Sequence, residues 1–555
     1  LCIPTPRTNV QQRIFYTSMK SFFQKVTKNN HTVLTGLFVL LLFTVSLYYR
    51  VKGLSVPHPF WVDEYATADQ AITIIKLGLG SFFHSTNYVE HHNITTHLLV
   101  ALFFKMFGPS EYAARLPFAI LGALVPVCIF IFVRSITDAK TAVVASLLTS
   151  FSYFQITWSR QARGYVLLQL FVILTLHVYY KIRNKGSICL KEVIYFSVLI
   201  ILGIATHSLY IIVLLAIAAD FILLKHKQAN YFLRKPALYI VILCIGAFLY
   251  STGTFHIALS IVQTALTSRI NNVWYYHSFL WREYSLITFL AIIGSLIAVA
   301  RMFKNFRVII LYIAVHLLFI SFFYPHYISR YVVPIFPFIL LLGAFALTNT
   351  SDLYLAQFEI TKPKRALFSI VVPISLVVFI LINGNKFVLK PKGFYSVNHD
   401  FREIALIDYS QVYSIIKSQI KSSKKQVAVI DTWPGRPYWY LGQDYQPLYI
   451  FRWKEEGIFG GGQRVSRTQF VINKSGDKIV PQNKGLRLLE DAEDLKKVIR
   501  QFPRGFIFID DASLPRDVIA YAQKNFKKEL YLEHYLYDDN PYSIWPATLY
   551  SWGVQ

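Results

Sequence analysis

The stretch Pro57-His58-Pro59-Phe60-Trp61-Val62-Asp63-Glu64-Tyr65 follows the first long apolar run of the chain, which covers residues 31–49. Its adjacent carboxylates, Asp63 and Glu64, are not needed to anchor a membrane helix, because a charge at the bilayer edge loses hydration and gains nothing from lipid. One interpretation is that they only begin the next helix, with Asp63 as the N-cap and Glu64 in the first turn. The other is that they carry chemistry, and polar groups further along the chain favour it.

The composition is that of a membrane protein, with 54% hydrophobic residues, 15% charged residues and a mean hydropathy of +0.42. The later apolar runs cover residues 116–133, 141–158, 164–180, 193–206, 209–224, 237–251, 284–300, 308–323, 331–347 and 366–382. Each is near the length of a helix that crosses a bilayer. We therefore predict a polytopic α-helical membrane protein with about eleven transmembrane helices.

The net charge of +26 does not indicate a nucleic-acid partner. The Lys and Arg residues are spread over every second loop between the apolar runs, as the positive-inside rule requires of cytoplasmic loops. Membrane lipids with anionic or phosphate-bearing head groups are therefore the expected partners. With segment 1–30 in the cytoplasm, an odd number of helices places the C-terminal region outside the plasma (inner) membrane. The loop 51–115, which contains Asp63, is then outside as well.

Further elements are predicted outside the membrane. Residues 65–77 and 97–107 have the pattern of amphipathic helices on the membrane surface, where they can line an entry for a lipid substrate. Region 386–555 alternates helices with short strands, which indicates a C-terminal extracytoplasmic α/β domain with a partly parallel sheet. Its predicted helices cover residues 409–421, 490–501 and 515–527, and its predicted strands cover 426–430 and 506–509. Gly460-Gly461-Gly462 is interpreted as a loop and no Gly-x-Gly-x-x-Gly follows a strand, so no nucleotide is expected.

The segment Asn87-Tyr88-Val89-Glu90-His91-His92-Asn93 holds a carboxylate beside two imidazoles, and His97 follows it. Such groups in one short segment can bind a divalent metal ion. Their spacing matches no strict metal signature, and a solvated polar loop is an equal alternative.

Arginines form the second group of candidates. Arg160 and Arg163 are three residues apart, hence expected on one face of a helix, at an external end that the positive-inside rule disfavours. Their guanidinium groups fit a phosphate, although snorkelling to lipid head groups is the alternative. Arg330, in the external segment Tyr324–Tyr331 with His326, either meets phosphate or anchors a helix end. A carboxylate that deprotonates a hydroxyl and arginines that stabilise a departing phosphate suit a reaction on a lipid-linked phosphate.

Five motifs in order along residues 32–385 resemble those of GT-C glycosyltransferases, which include protein O-mannosyltransferases and the lipid A aminoarabinose transferase. The sequence departs from the pattern at Asn93-Ile94-Thr95-Thr96, where the second loop motif of the family usually has prolines. The matching segments are Phe60-Trp61-Val62-Asp63-Glu64, Tyr88-Val89-Glu90 with His97-Leu98-Leu99 and Phe104-Lys105-Met106-Phe107-Gly108, Glu111-Tyr112-Ala113-Ala114-Arg115-Leu116-Pro117, Ser159-Arg160-Gln161-Ala162-Arg163-Gly164-Tyr165, and Arg330-Tyr331 with Pro334 and Pro337.

The resemblance implies a GT-C-like catalytic domain at residues 31–385. It would transfer a sugar, with inversion, from a polyprenyl-phosphate donor to a protein, lipid or glycan acceptor on the outer side. Asp63 would be the general base, and Glu64 would orient it or help to hold a metal. The remaining candidates are Arg160, Arg163 and Arg330 for the donor phosphate, Glu90 and His91 for a metal or the acceptor, and His92, Tyr165 and His326 for the acceptor or for support of the site.

Two other classes of function stay open. A lipid-phosphate transporter or flippase predicts buried charges within the spans and internal symmetry, and the sequence shows little of either. A non-catalytic membrane assembly protein, with a C-terminal domain that binds glycans or partners, predicts that the Asp63 region is dispensable.

Overall fold

The structure is a computed structural model, and its description covers part of the chain. The residues described are 33–54, 60, 62–80, 93–185, 189–223, 270–324, 328–358, 360–384, 386–391, 408–423, 425–432, 435–442, 444–451, 454–455, 464–465, 471–472, 478–480, 486–509, 514–532 and 547–554, with the single positions 243, 246, 263 and 267.

The N-terminal two thirds of the described chain is helical. Six of the helices described are long and apolar enough to cross a membrane, namely α1, α4, α7, α10, α11 and α12, so this is a multi-pass membrane protein. The helices are α1 (Val33–Val51), α2 (Val62–Leu77), α3 (Ile94–Phe107), α4 (Glu111–Ile136), α5 (Ala139–Phe151), α6 (Tyr153–Ser159), α7 (Tyr165–Lys185), α8 (Leu190–Thr206), α9 (Ile211–Ile222), α10 (Val273–Phe322), α11 (Phe336–Ala356) and α12 (Lys362–Asn383).

The centre of the bundle is α11. Every residue from Phe336 to Thr348 is buried, so the apolar run of this helix faces protein on all sides. A helix that is apolar all round is stable only in such surroundings or in lipid. It packs against α5, α10 and α12.

The long helix α10 contains two of the predicted spans, 284–300 and 308–323. Its backbone leaves helical geometry at Tyr284 and at Met302, close to where the predicted spans begin and end. The predicted span 237–251 lies outside the described residues apart from isolated positions. The number of eleven spans therefore stays a prediction.

The predicted helix over 141–158 is wrong in one respect, because it is broken at Ser152. Ser152 forms a β-bridge with Phe387, and the Tyr153 amide donates to the Lys386 carbonyl at 2.9 Å. The Ser152 hydroxyl then caps α6 by accepting from the Gln155 amide. A strap that follows the last membrane helix thus takes backbone hydrogen bonds that a continuous helix would use.

The break between α8 and α9, which is only slight in the sequence, is present in the structure. His207 is extended, and residues Ser208–Tyr210 form a 3-10 turn before α9 begins. The His207 ring nitrogen Nδ1 accepts a hydrogen bond from the Leu209 amide at 3.1 Å. This local bond competes with helical pairing, which explains a break without proline or glycine.

The C-terminal part is the α/β domain that the sequence predicts. Strands β1, β2, β7 and β8 are parallel at the centre of an eight-stranded sheet of order β5-β6-β7-β2-β1-β8-β10-β9, and the outer pairs are antiparallel. The helices are α13 (Tyr409–Ser422), α14 (Gly435–Leu441), α15 (Ala492–Gln501) and α16 (Arg516–Asn525). The strands are β1 (Ala428–Asp431), β2 (Leu448–Phe451), β3 (Lys454–Glu455), β4 (Arg464–Val465), β5 (Val471–Ile472), β6 (Lys478–Val480), β7 (Leu486–Leu489), β8 (Gly505–Ile509), β9 (Lys527–Leu532) and β10 (Ala547–Trp552).

The two faces of this sheet bury different partners. Val429 and Phe506 lie on the face covered by α13, in a core that continues through α14 to residues of α2, while Ile430 and Ile507 lie on the face covered by α15 and α16. This alternation follows from the period of two along a strand. One face of the domain is thus packed against the membrane-helix part, beside the segment that carries Asp63.

Candidate active site

The first turn of α2 carries both carboxylates of the opening stretch. The helix begins at Val62, so the expectation that Asp63 is the N-cap is wrong, and Asp63 and Glu64 both lie within the first turn. Adjacent residues on a helix point about 100° apart, so the two side chains reach different partners.

Glu64 forms a buried ion pair with Arg115 near the start of α4. The Arg115 Nε donates to Glu64 Oε1 at 2.9 Å and Nη2 donates to Oε2 at 2.7 Å, with the side chains 2% and 1% exposed. The backbone amide of Ala162 also donates to Glu64 Oε1, at 2.7 Å. Glu64 therefore joins α2, α4 and the turn after α6.

Asp63 faces two other arginines. Its Oδ2 atom lies 2.5 Å from Arg330 Nη1 and 3.3 Å from Arg163 Nη2, and its side chain is 28% exposed. Arg163 also donates to the Asp63 carbonyl at 3.1 Å. Asp63 is thus the more accessible of the two carboxylates.

Arg160 has a different environment from the other arginines. Its side chain is 7% exposed, and its Nη1 donates to the carbonyls of Arg50 and Lys52 at 2.9 and 2.6 Å, at the end of α1. Cations at a helix C-terminus satisfy carbonyls that have no partner within the helix. Arg160 therefore fixes α1 against the site, and its role as a phosphate ligand stays a prediction.

The turn between α6 and α7 shapes the site. Arg160 ends α6, and residues 161–164 are not helical, so the expectation that Arg160 and Arg163 share one helical face is wrong. Gly164 packs so closely that an added Cβ would lie 2.6 Å from Thr96 Oγ1. Only a glycine allows this approach, which holds the turn against α3.

Aromatic rings line the site beside Arg330. The Arg330 guanidinium lies 5.9 Å from the Tyr165 ring centroid and 5.5 Å from that of Tyr331, within the range of cation–π attraction. Burial would lower the pKa of Arg330, but Tyr165 and Asp63 more than offset it, and the pKa lies well above its ordinary value. His207 packs on the other side of Tyr165, with ring centroids 5.2 Å apart.

The charges of the described site do not balance. The guanidinium groups of Arg115, Arg163 and Arg330, with that of Arg160 in the same turn as Arg163, accompany three carboxylates. These are Asp63, Glu64 and Glu111, which lies near Arg115. A partly buried excess of positive charge attracts an anion, and guanidinium forks match phosphate oxygens. The arrangement can thus hold a phosphate beside a carboxylate.

The structure brings together Asp63, Glu64, Arg163, Arg330 and Tyr165, whereas the Arg160 side chain lies at the carbonyls that end α1. The candidates Glu90, His91, His92 and His326 lie outside the described residues. Within the described part of the chain, no three His, Cys, Asp or Glu side chains form a cluster that could hold a metal ion. The metal hypothesis at Glu90 and His91 stays a prediction.

Sequence reasoning missed the roles of Arg115 and His207. Arg115 lies in a segment already matched to the lead into the second helix, and its signal is a charge at the start of an apolar run. A buried cation there needs a carboxylate, and Glu64 follows Asp63 in the preceding loop. His207 lies at a helix break without proline or glycine, which was the available signal.

A second buried ion cluster lies near the C-termini of α7 and α9, at the other end of α7 from the site. Asp220 accepts from Arg183 at 3.1 Å, from Arg307 at 2.5 Å and from the Tyr179 hydroxyl at 2.7 Å. Asp220 and Arg183 are in the last turns of α9 and α7, and Arg307 follows the kink of α10. The cluster ties three helices together.

Residues 91–254 match the family model of dolichyl-phosphate-mannose-protein mannosyltransferases. The chain is also 31% identical over 111 residues to an uncharacterized protein of Aquifex aeolicus (strain VF5), a match that covers 20% of this chain and 21% of that relative. The matched span therefore amounts to about a fifth of the relative's length.

The crystal structure of apo ArnT from Cupriavidus metallidurans matches over 95% of this chain and 98% of its own, with a TM-score of 0.54 at 13% identity. The fold resembles that of ArnT. The predicted GT-C-like fold, with helices followed by an α/β domain, is confirmed, and so is the resemblance that the motifs suggested. Both comparisons give membrane glycosyltransferases as the proteins that this chain resembles.

Two further structures are similar with lower scores. ArnT bound to undecaprenyl phosphate has a TM-score of 0.47 at 14% identity, over 94% of this chain and 98% of that one. The oligosaccharyltransferase AglB from Archaeoglobus fulgidus, in complex with an inhibitory peptide and a dolichol-phosphate, has a TM-score of 0.46 at 9% identity. This match covers 91% of this chain and 74% of that one.

Proposed function

We propose that this protein transfers a sugar, with inversion, from a polyprenyl-phosphate-linked donor to a hydroxyl of a protein, lipid or glycan, and that Asp63 is the general base. The observation that carries the proposal is the Asp63 carboxylate between the guanidinium groups of Arg163 and Arg330. The description of the matched family names dolichyl-phosphate-mannose as the donor. Such a donor has the lipid tail and the phosphate that an apolar bundle with this site would accommodate.

Donor binding would prepare the base. A carboxylate paired with two guanidinium groups is a weak proton acceptor, because the pairs stabilise its charged form. A donor phosphate near Arg163 and Arg330 would share those cations and loosen their hold on Asp63. Binding of the donor would thereby raise the basicity of the carboxylate that the next step needs.

The transfer step needs one base and one stabilised leaving group. The acceptor hydroxyl gives its proton to Asp63 as its oxygen forms a bond to the sugar's anomeric carbon. The bond from that carbon to the phosphate oxygen breaks, and its electron pair leaves with the polyprenyl phosphate. Arg163 and Arg330 stabilise the charge that develops on this phosphate. Attack from the face opposite the leaving group inverts the anomeric configuration.

Glu64 has a supporting role in this account. Both of its oxygens are bonded and its side chain is 1% exposed, so an acceptor hydroxyl does not reach it. By holding Arg115 and the Ala162 amide, it fixes the first turn of α2 against the turn that carries Arg163. It orients its neighbour Asp63 through the backbone, as the resemblance implies.

We further propose that the site and the α/β domain lie on the outer side of the plasma (inner) membrane. The support is the alternation of basic loops along the sequence. The native cysteines are removed and a single cysteine is introduced at Lys497, whose side chain is 73% exposed. This cysteine should react with a membrane-impermeant maleimide in intact cells. Labelling only after permeabilisation would contradict this orientation.

The alternatives gain little from the structure. A transporter predicts charges within the spans, whereas Asp220 and Arg183 lie in terminal turns of α9 and α7. Arg307 follows the kink of α10, and the cluster ties the three helices together. A non-catalytic assembly protein predicts that the Asp63 region is dispensable, which a functional comparison of Asp63→Asn with the parent tests.

The test of the phosphate site is donor binding, because it needs no acceptor. Protein in nanodiscs is titrated with radiolabelled polyprenyl phosphate and, separately, with the corresponding polyprenol. We expect tight binding of the phosphate only, and at least about tenfold weaker binding after Arg163→Lys or Arg330→Lys, which keep the charge but lose the fork.

The matched control for these variants is Arg282→Lys, since Arg282 is 63% exposed and pairs with Glu283. It should bind the phosphate like the parent. Equal affinity of the parent for phosphate and polyprenol would contradict the proposed function, and so would unchanged phosphate affinity in both site variants.

A further inference from the structure

The short helix α14 of the C-terminal domain lies directly on α2. Gly435, its first residue, packs so closely that an added Cβ would lie 2.7 Å from the Tyr65 Cβ. Tyr65 immediately follows Glu64, and its side chain is buried. Burial raises the pKa of the Tyr65 hydroxyl well above its ordinary value, so this contact stays uncharged.

Aromatic residues of α14 also hold the start of α4. The Trp439 indole nitrogen donates to Glu111 Oε1 at 3.0 Å, and the Tyr440 hydroxyl donates to the same oxygen at 3.3 Å. The Trp439 ring lies 4.8 Å from the ring of Phe60. Glu111 begins the helix that carries Arg115, so α14 contacts both elements that the Glu64–Arg115 pair joins.

A buried ion pair fixes α14 to the sheet. Asp431, at the end of β1, is bonded to the Arg436 guanidinium and to the Tyr413 hydroxyl, and the Asp431 and Arg436 side chains are 0% and 2% exposed. The Arg436 guanidinium lies 4.7 Å from the Tyr409 ring centroid. A charged pair that is buried with its bonds satisfied holds one geometry. The helix therefore moves with the sheet.

We propose that α14 is a clamp by which the C-terminal domain positions the first turn of α2, with Trp439, Tyr440 and Gly435 as positioning residues. This inference rests on the proposed function of Asp63. The clamp links β1, α14, α2 and α4 without a break, from Asp431 to the Glu64–Arg115 pair. The C-terminal domain is then a working part of the transfer site and not a separate binding module.

Such a clamp matters because the transfer reaction tolerates little displacement of its catalytic groups. A misplacement of about 1 Å in a catalytic group can cost on the order of 10²-fold in rate. Asp63 is one residue from Glu64 and two from Tyr65, so a shift at the Gly435 contact moves the carboxylate relative to Arg163 and Arg330. The exposed ion pair between Lys76 and Asp444, at 3.8 Å, lies at the edge of the same interface. Such pairs contribute little.

The test removes both donors to Glu111 and keeps an aromatic ring at each position. Trp439→Phe/Tyr440→Phe is compared with the parent and with Trp552→Phe, whose indole donates to the Phe502 carbonyl at 2.9 Å within the C-terminal domain. Gly435→Val is a second test variant, because its side chain would push α14 away from Tyr65. Each protein is made in full length in nanodiscs.

Two measurements are made on each protein. The first is kcat and KM for sugar transfer from a synthetic polyprenyl-phosphate donor. The second is the distance distribution between spin labels at Lys76→Cys and Asp444→Cys, in a background without the native cysteines. The temperature midpoint of unfolding of each protein is recorded as well, and activities are compared only at temperatures below it.

We expect both test variants to broaden the distance distribution and to lower kcat on the order of 10- to 100-fold with little change in the donor KM. Trp552→Phe should keep the narrow distribution and the parental kcat, even where its unfolding midpoint falls equally. A broadened distribution with parental kcat would overturn the clamp, as would a lowered kcat with an unchanged distribution.

The distance measurement needs no substrate, so the two proposals fail separately. A parent protein that transfers no sugar would count against the proposed function. A distribution that is as narrow in both test variants as in the parent would overturn the clamp whatever the transfer assay gives.

Discussion

Replacing Arg115 by Met should be among the most destabilising single changes in the site. The substitution keeps the length of the side chain but removes the cation that pairs with Glu64 through contacts of 2.9 and 2.7 Å. Both side chains are at most 2% exposed, so water cannot replace the lost partner. Breaking a buried ion pair from one side costs about 3–5 kcal/mol, because the remaining charge stays buried without compensation.

The assay is unfolding in mixed micelles by titration with SDS, followed by far-UV circular dichroism. Arg134→Met is the matched control on the same helix, where Arg134 is exposed and donates to Thr35 at 2.9 Å. It should change the free energy of unfolding by about 0.5 kcal/mol or less. The double variant Glu64→Gln/Arg115→Met should be less destabilised than Arg115→Met alone, because it leaves no buried charge.

This reasoning would be refuted if the free energy of unfolding of Arg115→Met lay within about 1 kcal/mol of that of the parent. An effect of that size is what the loss of an exposed ion pair produces. Glu64 would then not depend on Arg115 for its charge. The account of how α2 is fixed against α4 would have to be replaced.

Two further predictions concern other arginine and carboxylate groups. Asp220→Asn should lower the free energy of unfolding by about 3–5 kcal/mol in the same SDS titration, because it leaves Arg183 and Arg307 without their shared anion. The control Asp352→Asn, which breaks an exposed pair with Lys140, should lower it by about 1 kcal/mol at most. Equal effects of the two substitutions would contradict this prediction. Arg163→Ala should raise the donor KM at least about tenfold. Arg160→Ala should mainly lower the unfolding midpoint, because Arg160 holds the end of α1. A larger KM effect from Arg160→Ala than from Arg163→Ala would instead support Arg160 as a phosphate ligand.

The membrane helices and the class of the C-terminal domain could be predicted because their signals are local. Apolar runs near bilayer length and the alternation of residues in β1 and β8 depend only on neighbours in the chain. The break at Ser152 could not be predicted, because its cause is the strap at Lys386 and Phe387, more than two hundred residues away in sequence.

The site was predictable as a set of residues but not as an arrangement. Charges in the segments predicted to be external are few, so Asp63, Glu64, Arg163 and Arg330 are apparent from the sequence. Which carboxylate pairs with which arginine depends on the turn at residues 160–164 and on the close approach at Gly164. Tertiary packing decides these contacts, and the periodicity that placed Arg160 and Arg163 on one helical face does not hold through a turn.

The most direct test of the central claim compares sugar transfer by the parent, Asp63→Asn and Asp69→Asn. Radiolabelled sugar is supplied on a synthetic polyprenyl-phosphate donor to protein in nanodiscs, with an extract of the source membranes as acceptor, and donor binding is measured in parallel. Asn keeps the size of the side chain but cannot take a proton at neutral pH, and a general base contributes about 10²–10⁴-fold.

Asp69 lies on the same helix, more than one turn after Asp63, so its variant controls for damage to α2. We predict that Asp63→Asn binds the donor yet transfers sugar at least about 10²-fold more slowly, while Asp69→Asn stays near the parental rate. Near-parental transfer by Asp63→Asn would contradict the assignment of Asp63 as the base.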